Sequence, residues 1–527
     1  MAGPRCFWTT VFFLMFVGGA IDCARILALF PIPAKSHMIS YGALMQELAR
    51  RGHQVTVVSG FPVKPPMANY TDITVHSSLP EEDTPSMFQM HEEKSARNLF
   101  TMIFDMGLVL CERELKHPNI QKFIEDKESQ FDLVILEVFL SECFYGFVHK
   151  YKAPLIHISS NTIGVWMGDG VGNPHTSSYI PEVILGLKPE MSFLQRFSNF
   201  GVTLFSYLSR EFYFLPKQQE LLKKYFKDPS IPPIQEMEKN ASLLLLNSHF
   251  SLSYPRPFTP NTIEVGGMHI KPGKKLPEDI QKYMDEAEHG VVYFSLGSNV
   301  KSKDMPLPMR QALLDTFAKL KQKVLWKWED DTLPGLPANV RIGKWMPQND
   351  ILAHPNLRVF MTHGGLLSMQ EATYHGVPLL AIPVAADQNV NALNAQTKGY
   401  AIMLELEKIT TESLSWALNE LFNNPRYREK VKQMSAILRD QAQSPLEKAV
   451  YWTEYVLRHK GAPHMRSAAL DLWWFQYYLL DVLAVLLGAV AVSLVVTWVT
   501  CRALYRLLFS KAKGIPSKKH SKSKKMN

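Results

Sequence analysis

Short apolar runs alternate with amphipathic stretches along most of this 527-residue chain. Apolar runs bounded by turn residues read as strands buried on both faces, as in a parallel sheet. They fall at residues 25–30, 53–59, 131–137 and 154–159, and again at 290–296, 323–327, 340–342, 359–362 and 378–382. Helical spacing appears between them. Leu44 and Leu48 share one face over residues 40–50, and Gly52 ends that helix. Further helices are predicted over 305–320 and through 411–459. The chain therefore reads as two α/β units, residues 25–254 and 255–460, each a doubly wound parallel sheet. Residues 191–226, rich in Phe, Leu and Tyr, read first as core helices; a pocket cover or a membrane-surface element are the other readings.

The two ends follow another pattern. Arg5 precedes an apolar run over residues 7–17, then Gly18, Gly19 and Ala20. That is the shape of a secretory signal, residues 1–24, with cleavage after Ala20 or Ala24. Residues 482–501 carry no charge and, at 1.5 Å per residue, span about 30 Å, a bilayer core. Trp473, Trp474, Tyr477 and Tyr478, within the juxtamembrane segment 461–481, precede that run as an interfacial belt. The tail 502–527 has nine basic residues and no acidic ones, which marks the cytosolic side. A single-pass type I protein with a lumenal body is expected. Lys524 and Lys525 resemble a retrieval signal for the endoplasmic reticulum, and Asn69 and Asn240 open N-glycosylation sequons.

Charge and cysteine refine this picture. The net charge of +8 sits mostly in the tail, so the body is close to neutral and gives no support for nucleic-acid binding. Of the five cysteines only Cys111 and Cys143 lie in the body. A disulfide framework is excluded; one bond between them is open, with two buried thiols the favoured reading.

Candidate chemistry concentrates between Trp345 and Gln388, WMPQNDILAHPNLRVFMTHGGLLSMQEATYHGVPLLAIPVAADQ. The alternation there suggests strand–loop–helix–strand, with polar side chains at loop ends, where open α/β sheets bind ligands. Trp345 offers a flat face for a base, and Gln348 a donor and an acceptor. His363-Gly364-Gly365 falls between a strand and a helix, where backbone N–H groups favour a phosphate. Ser368 adds a donor, and Glu371 can accept two hydroxyls. The run resembles the signature of the UDP-glycosyltransferase family, and the likeness covers nearly the whole chain.

That resemblance implies a GT-B architecture, two Rossmann-like halves facing a cleft, and transfer of a hexose from a UDP-sugar to a small lipophilic acceptor, as in detoxification. It implies that Ser298, Trp345, Gln348, His363, Gly365, Ser368 and Glu371 hold UDP and that Asp387 and Gln388 read the sugar. It also implies an inverting mechanism with His37 as base. His is suited to this because its ordinary pKa lies near neutral. The family's orienting Asp is replaced here by Glu137, with Glu142 a weaker candidate. Two further departures are Leu366-Leu367 after the glycine pair, and Ala385 where vertebrate members often carry Phe, which is expected to widen the donor site. Details such as FPIPAKSH resemble invertebrate members, which favours UDP-glucose over UDP-glucuronate.

Other chemistries fit less well. No G-x-G-x-x-G follows a strand, against a nicotinamide-dependent oxidoreductase, and no H-E-x-x-H or paired C-x-x-C appears. Neither a cofactor nor a metal is expected. A non-catalytic UDP-sugar-binding membrane subunit stays as the alternative, and homo- or hetero-oligomers are left open.

Overall fold

The structure is a computed structural model that describes residues 23–78, 87–92 and 96–510. The expected signal segment before residue 23 and the Lys524–Lys525 tail lie outside them. Thirteen strands in the described residues build two sheets. The first contains β1 (Arg25–Phe30), β2 (Gln54–Ser59), β3 (Tyr70–Thr74), β4 (Leu133–Glu137), β5 (Leu155–Ser159), β6 (Ala241–Leu246) and β7 (Thr262–Glu264). The second contains β8 (Val291–Ser295), β9 (Lys323–Lys327), β10 (Val340–Gly343), β11 (Leu357–Thr362), β12 (Leu379–Ala381) and β13 (Ala401–Met403). Every pairing is parallel. The apolar runs are the reason: β4, β5 and β8 are buried at every position, so helices must cover both faces.

The strand orders are 3-2-1-4-5-6-7 and 10-9-8-11-12-13. Each order reverses once, between β1 and β4 and between β8 and β11. At such a reversal the chain leaves neighbouring strands toward opposite faces, opening a crevice beyond their carboxyl ends.

Several expectations need correction. The first helix, α1, runs Lys35–Arg50 rather than starting at residue 40. Ala34 is extended and immediately precedes the helix, which opens on Lys35, a good helix former. His37 thus sits in the first helical turn, not in a loop. Cys111 and Cys143 are joined by a disulfide, not held as free thiols. It ties the helix Ala96–Leu115 to the turn that follows β4. The helix Phe193–Ser209 is not wholly a core helix: Phe193 and Phe197 are each 70% exposed, and Leu194, Phe200 and Leu204 continue the same outward face.

The two halves are interleaved in sequence. The helix Pro445–Arg458 follows the second sheet in the chain, yet buries Ala449, Val450 and Val456 among Ile26, Tyr41 and Leu48 of the first. Its Glu454 accepts from Arg51 at 3.2 Å. In the other direction α2 (Met87–Glu92) places Phe88 in the core of the second half, and His91 Nδ1 donates to the Val384 carbonyl at 2.8 Å.

Beyond Ser467 the chain forms a second compact unit. Its helix Leu480–Ser510 contains, among the described residues, the one stretch long and apolar enough to cross a membrane.

Candidate active site

Both topological crevices open into one cleft of about 1460 Å³. Beyond β1 lies His37, and Glu137 is the last residue of β4. His37 Nδ1 is 2.6 Å from Glu137 Oε1. A carboxylate only accepts, so Nδ1 is the donor, and in a neutral ring that tautomer leaves the lone pair on Nε2. Glu137 is 1% exposed, its Oε1 also accepts from Tyr41 O–H at 3.1 Å, and its Oε2 has no partner among the described residues. Tyr41 escaped the sequence reading, although it stands four residues after His37 and so shares its helix face. Burial pushes the Tyr41 phenol well up, so it stays a donor. Phe139 packs edge-on to the imidazole, with centroids 5.5 Å apart. The methylene that distinguishes Glu137 from the family's Asp is accommodated, and the pair forms.

Glu142, the weaker candidate, is elsewhere. It is buried and pairs with Arg210 at 3.1 Å, beside Glu238. Its carboxylate is committed to that cluster.

The opposite wall belongs to the second half. Ser298, beyond β8, lines the cleft after Gly297, whose φ of 78° only glycine adopts readily. Beyond β11 comes His363, buried, its pKa held down to about 4 by burial, with the Lys327 charge adding to the effect. It is neutral at pH 7 and can donate one N–H. Its ring is wedged between two glycines: a Cβ on Gly365 would meet Nε2 at 2.6 Å, and one on Gly297 would meet Cε1 at 2.7 Å. The helix Leu366–His375 starts there, and its first N–H groups face anions favourably.

Gln348, Ser368 and Glu371 form one cluster. Gln348 Nε2 donates to Ser368 Oγ at 3.0 Å and to Glu371 Oε2 at 2.6 Å. Trp345 is 60% exposed in the cleft, and Lys35 Nζ, from the first half, lies 3.7 Å above its ring centroid.

Ala386 adopts φ 57°, a costly conformation for a residue with a Cβ, and aims the next residue, Asp387. Burial pushes the Asp387 carboxyl up, while Asn391 Nδ2, donating at 2.8 Å, works the other way. The side-chain oxygen of Gln388, Oε1, accepts from the backbone N–H groups of Val384 and Ala385 at 2.8 and 3.0 Å. Only its amide N–H groups are left for a ligand. Ala385 is 6% exposed and is not among the lining residues, whereas Ala386 is. The expected widening is therefore not traced to Ala385, which is buried away from the residues that line the cleft. Leu366 and Leu367 do line the cleft.

The first half adds an apolar lining of Ile32, Phe61, Phe100, Phe139, Trp166 and Ile184, interspersed with polar side chains such as Gln46, Lys64, Asn161 and Glu182. Among the described residues no three His, Cys, Asp or Glu side chains cluster as metal ligands.

Two facing parallel sheets, each reversing order where it meets the cleft, define a GT-B glycosyltransferase. Solved structures agree on the fold. A calicheamicin glycosyltransferase superposes with a TM-score of 0.54 at 21% identity, over 83% of this chain and 99% of that one. A UDP-glucose:anthocyanidin 3-O-glucosyltransferase in complex with UDP does so with 0.55 at 15%, over 82% and 98%. The family model described as "UDP-glucoronosyl and UDP-glucosyl transferase" matches residues 26–514, and the chain belongs to that family. It is similar to UDP-glucosyltransferase 2 of Dactylopius coccus, 38% identical over 94% of this chain and 96% of the relative. It is also similar to human UDP-glucuronosyltransferase 2B15, 32% identical over 96% and 98%. The protein is a UDP-glycosyltransferase.

Proposed function

We propose that the enzyme transfers glucose, with inversion, from UDP-glucose to a hydroxyl of a small lipophilic acceptor. The observation that carries this is the His37–Glu137 pair at 2.6 Å, opening onto the same cleft as Trp345, His363 and Asp387. His37 Nε2 takes the proton of the acceptor hydroxyl as its oxygen attacks the anomeric carbon. The bond from that carbon to the diphosphate breaks, and UDP leaves with the electron pair. Glu137 orients the ring and balances the imidazolium that forms.

Trp345 stacks uracil, Gln348 and Glu371 bind base and ribose, and His363, Ser368, Ser298 and the Gly365 turn take the diphosphate. Asp387 and the Gln388 amide bind sugar hydroxyls. Neither metal nor cofactor is needed in this scheme. The choice of glucose rests on the similarity to an insect UDP-glucosyltransferase; the apolar lining supports a lipophilic acceptor.

A lumenal body anchored by the helix Leu480–Ser510 is consistent with the Cys111–Cys143 bond, which persists in an oxidising compartment. Asn240 is exposed, as glycosylation requires, while Asn69 Nδ2 donates to the Ala49 carbonyl. The test offers membranes containing the full chain several UDP-sugars and a panel of phenols. Transfer is expected from UDP-glucose and is abolished in His37→Ala, with UDP binding retained. Transfer from UDP-glucuronate alone would overturn the glucose assignment.

A further inference from the structure

Lys35 occupies an electrostatically awkward position. It stands in the first turn of α1, where the helix dipole disfavours a cation. No carboxylate among the described residues pairs with it, and its one ring partner is Trp345, on the opposite wall. Lys327, also lining the cleft, lies close enough to repel it, and burial with that repulsion lowers the Lys35 pKa. Lys327 is itself partly balanced by Glu329 at 2.9 Å. Lys35 and Lys327 thus face each other from two walls of the cleft that His363 and Gly365 also line, and Lys327 is close enough to His363 to act on it by charge.

We propose that Lys35 binds the diphosphate of the donor, reaching it from the acceptor half. The inference rests on the donor-site reading above. Its chemistry is simple: a flexible ammonium, strongly attracted to phosphate oxygens, on the same helical turn as His37. When a base stacks on the Trp345 face that the ammonium covers, the ammonium must leave it, and the nearest anion is the diphosphate attached to that base. Charge then develops on the leaving group between Lys35 and Lys327 while His37, two residues from Lys35, takes the proton. One turn of helix would couple both ends of the displacement.

The test is calorimetric titration of the full chain in nanodiscs with uridine, UDP, UDP-glucose and UDP-glucuronate, for the wild type, Lys35→Ala and Lys35→Arg. A charge-assisted contact predicts that Lys35→Ala weakens UDP about tenfold. Uridine, which has no phosphate, should bind unchanged or tighter, and Lys35→Arg should restore most of the UDP affinity. The salt dependence of UDP binding should also shrink in Lys35→Ala. Equal changes for uridine and UDP would overturn the proposal and leave Lys35 a stacking partner of Trp345. A loss confined to UDP-glucuronate would overturn it in favour of a carboxylate reader. A wild type that binds neither uridine nor UDP would refute the donor-site reading first, and this inference with it.

Discussion

Glu137→Gln tests the dyad with little change of shape. In the wild type Oε1 receives two donors, His37 Nδ1–H at 2.6 Å and Tyr41 O–H at 3.1 Å. Two donors force the Gln amide to present its oxygen there, so the histidine keeps its tautomer and orientation. What is lost is the charge opposite the imidazolium. Two unit charges about 4 Å apart at an effective dielectric near 20 interact by about 4 kcal/mol. At about 1.4 kcal/mol per decade that is roughly a thousandfold in rate. The retained neutral hydrogen bond contributes about 1 kcal/mol. A fall in kcat of about 10²–10³-fold is therefore expected, with KM for the UDP-sugar nearly unchanged. Stability should hold or rise, because the amide N–H₂ replaces Oε2, a buried carboxylate oxygen already without a partner. The assay is initial-rate UDP release with saturating acceptor, alongside Tm and UDP titration. Retention of more than about a tenth of kcat, or a fall in Tm that accounts for the lost activity, would refute the reasoning.

Trp345→Ala should weaken UDP by about 10–100-fold, since stacking on a base contributes about 1–3 kcal/mol. Its Tm should barely move because the indole is exposed, so calorimetry and thermal melting must disagree. Gly365→Ala should displace His363, which Gly297 blocks from retreating; loss of UDP binding with about 1–3 kcal/mol of destabilisation is expected from chemical denaturation. Acid should destabilise the fold between pH 7 and 5. His157, His249 and His363 are buried and neutral, with pKa values lowered to about 3, 4 and 4. The unfolded chain binds protons near 6.5, so it gains relative to the fold as pH falls, by up to about 2 kcal/mol per histidine at pH 5. Burial also raises the carboxyls of Glu142, Glu182 and Asp387, which works the other way over this interval and offsets part of the loss. Thermal melts at pH 7.5, 6 and 5 should show a falling Tm; a flat profile would refute this.

Legibility in the sequence differed between the two walls. The donor residues share one run, and the strands around it are continuous apolar stretches, so pattern and resemblance located them together. Where each side chain points was not legible: Gln388 turns its Oε1 to the backbone N–H groups of Val384 and Ala385, and Ala385 is buried outside the cleft lining. On the acceptor wall, His37 and Glu137 were found from resemblance, but Tyr41 needed the helix to start at Lys35. The strands β3, β6, β7 and β13 were not picked out, and the sequence gives no hint that the Pro445–Arg458 helix returns to the first sheet. Only tertiary packing decides that. The Cys111–Cys143 bond depends on the approach of a helix and a turn that spacing does not reveal.

The two walls of the cleft are also laid out differently along the chain. Most of the residues placed on the donor wall fall in one segment, from Trp345 to Gln388, with Ser298 and Lys327 supplied from the ends of earlier strands. The apolar residues of the opposite wall, Ile32, Phe61, Phe100, Phe139, Trp166 and Ile184, come from separate segments. Under the proposed function, a substitution that changes acceptor choice can fall in any one of those segments without touching the run that holds the nucleotide.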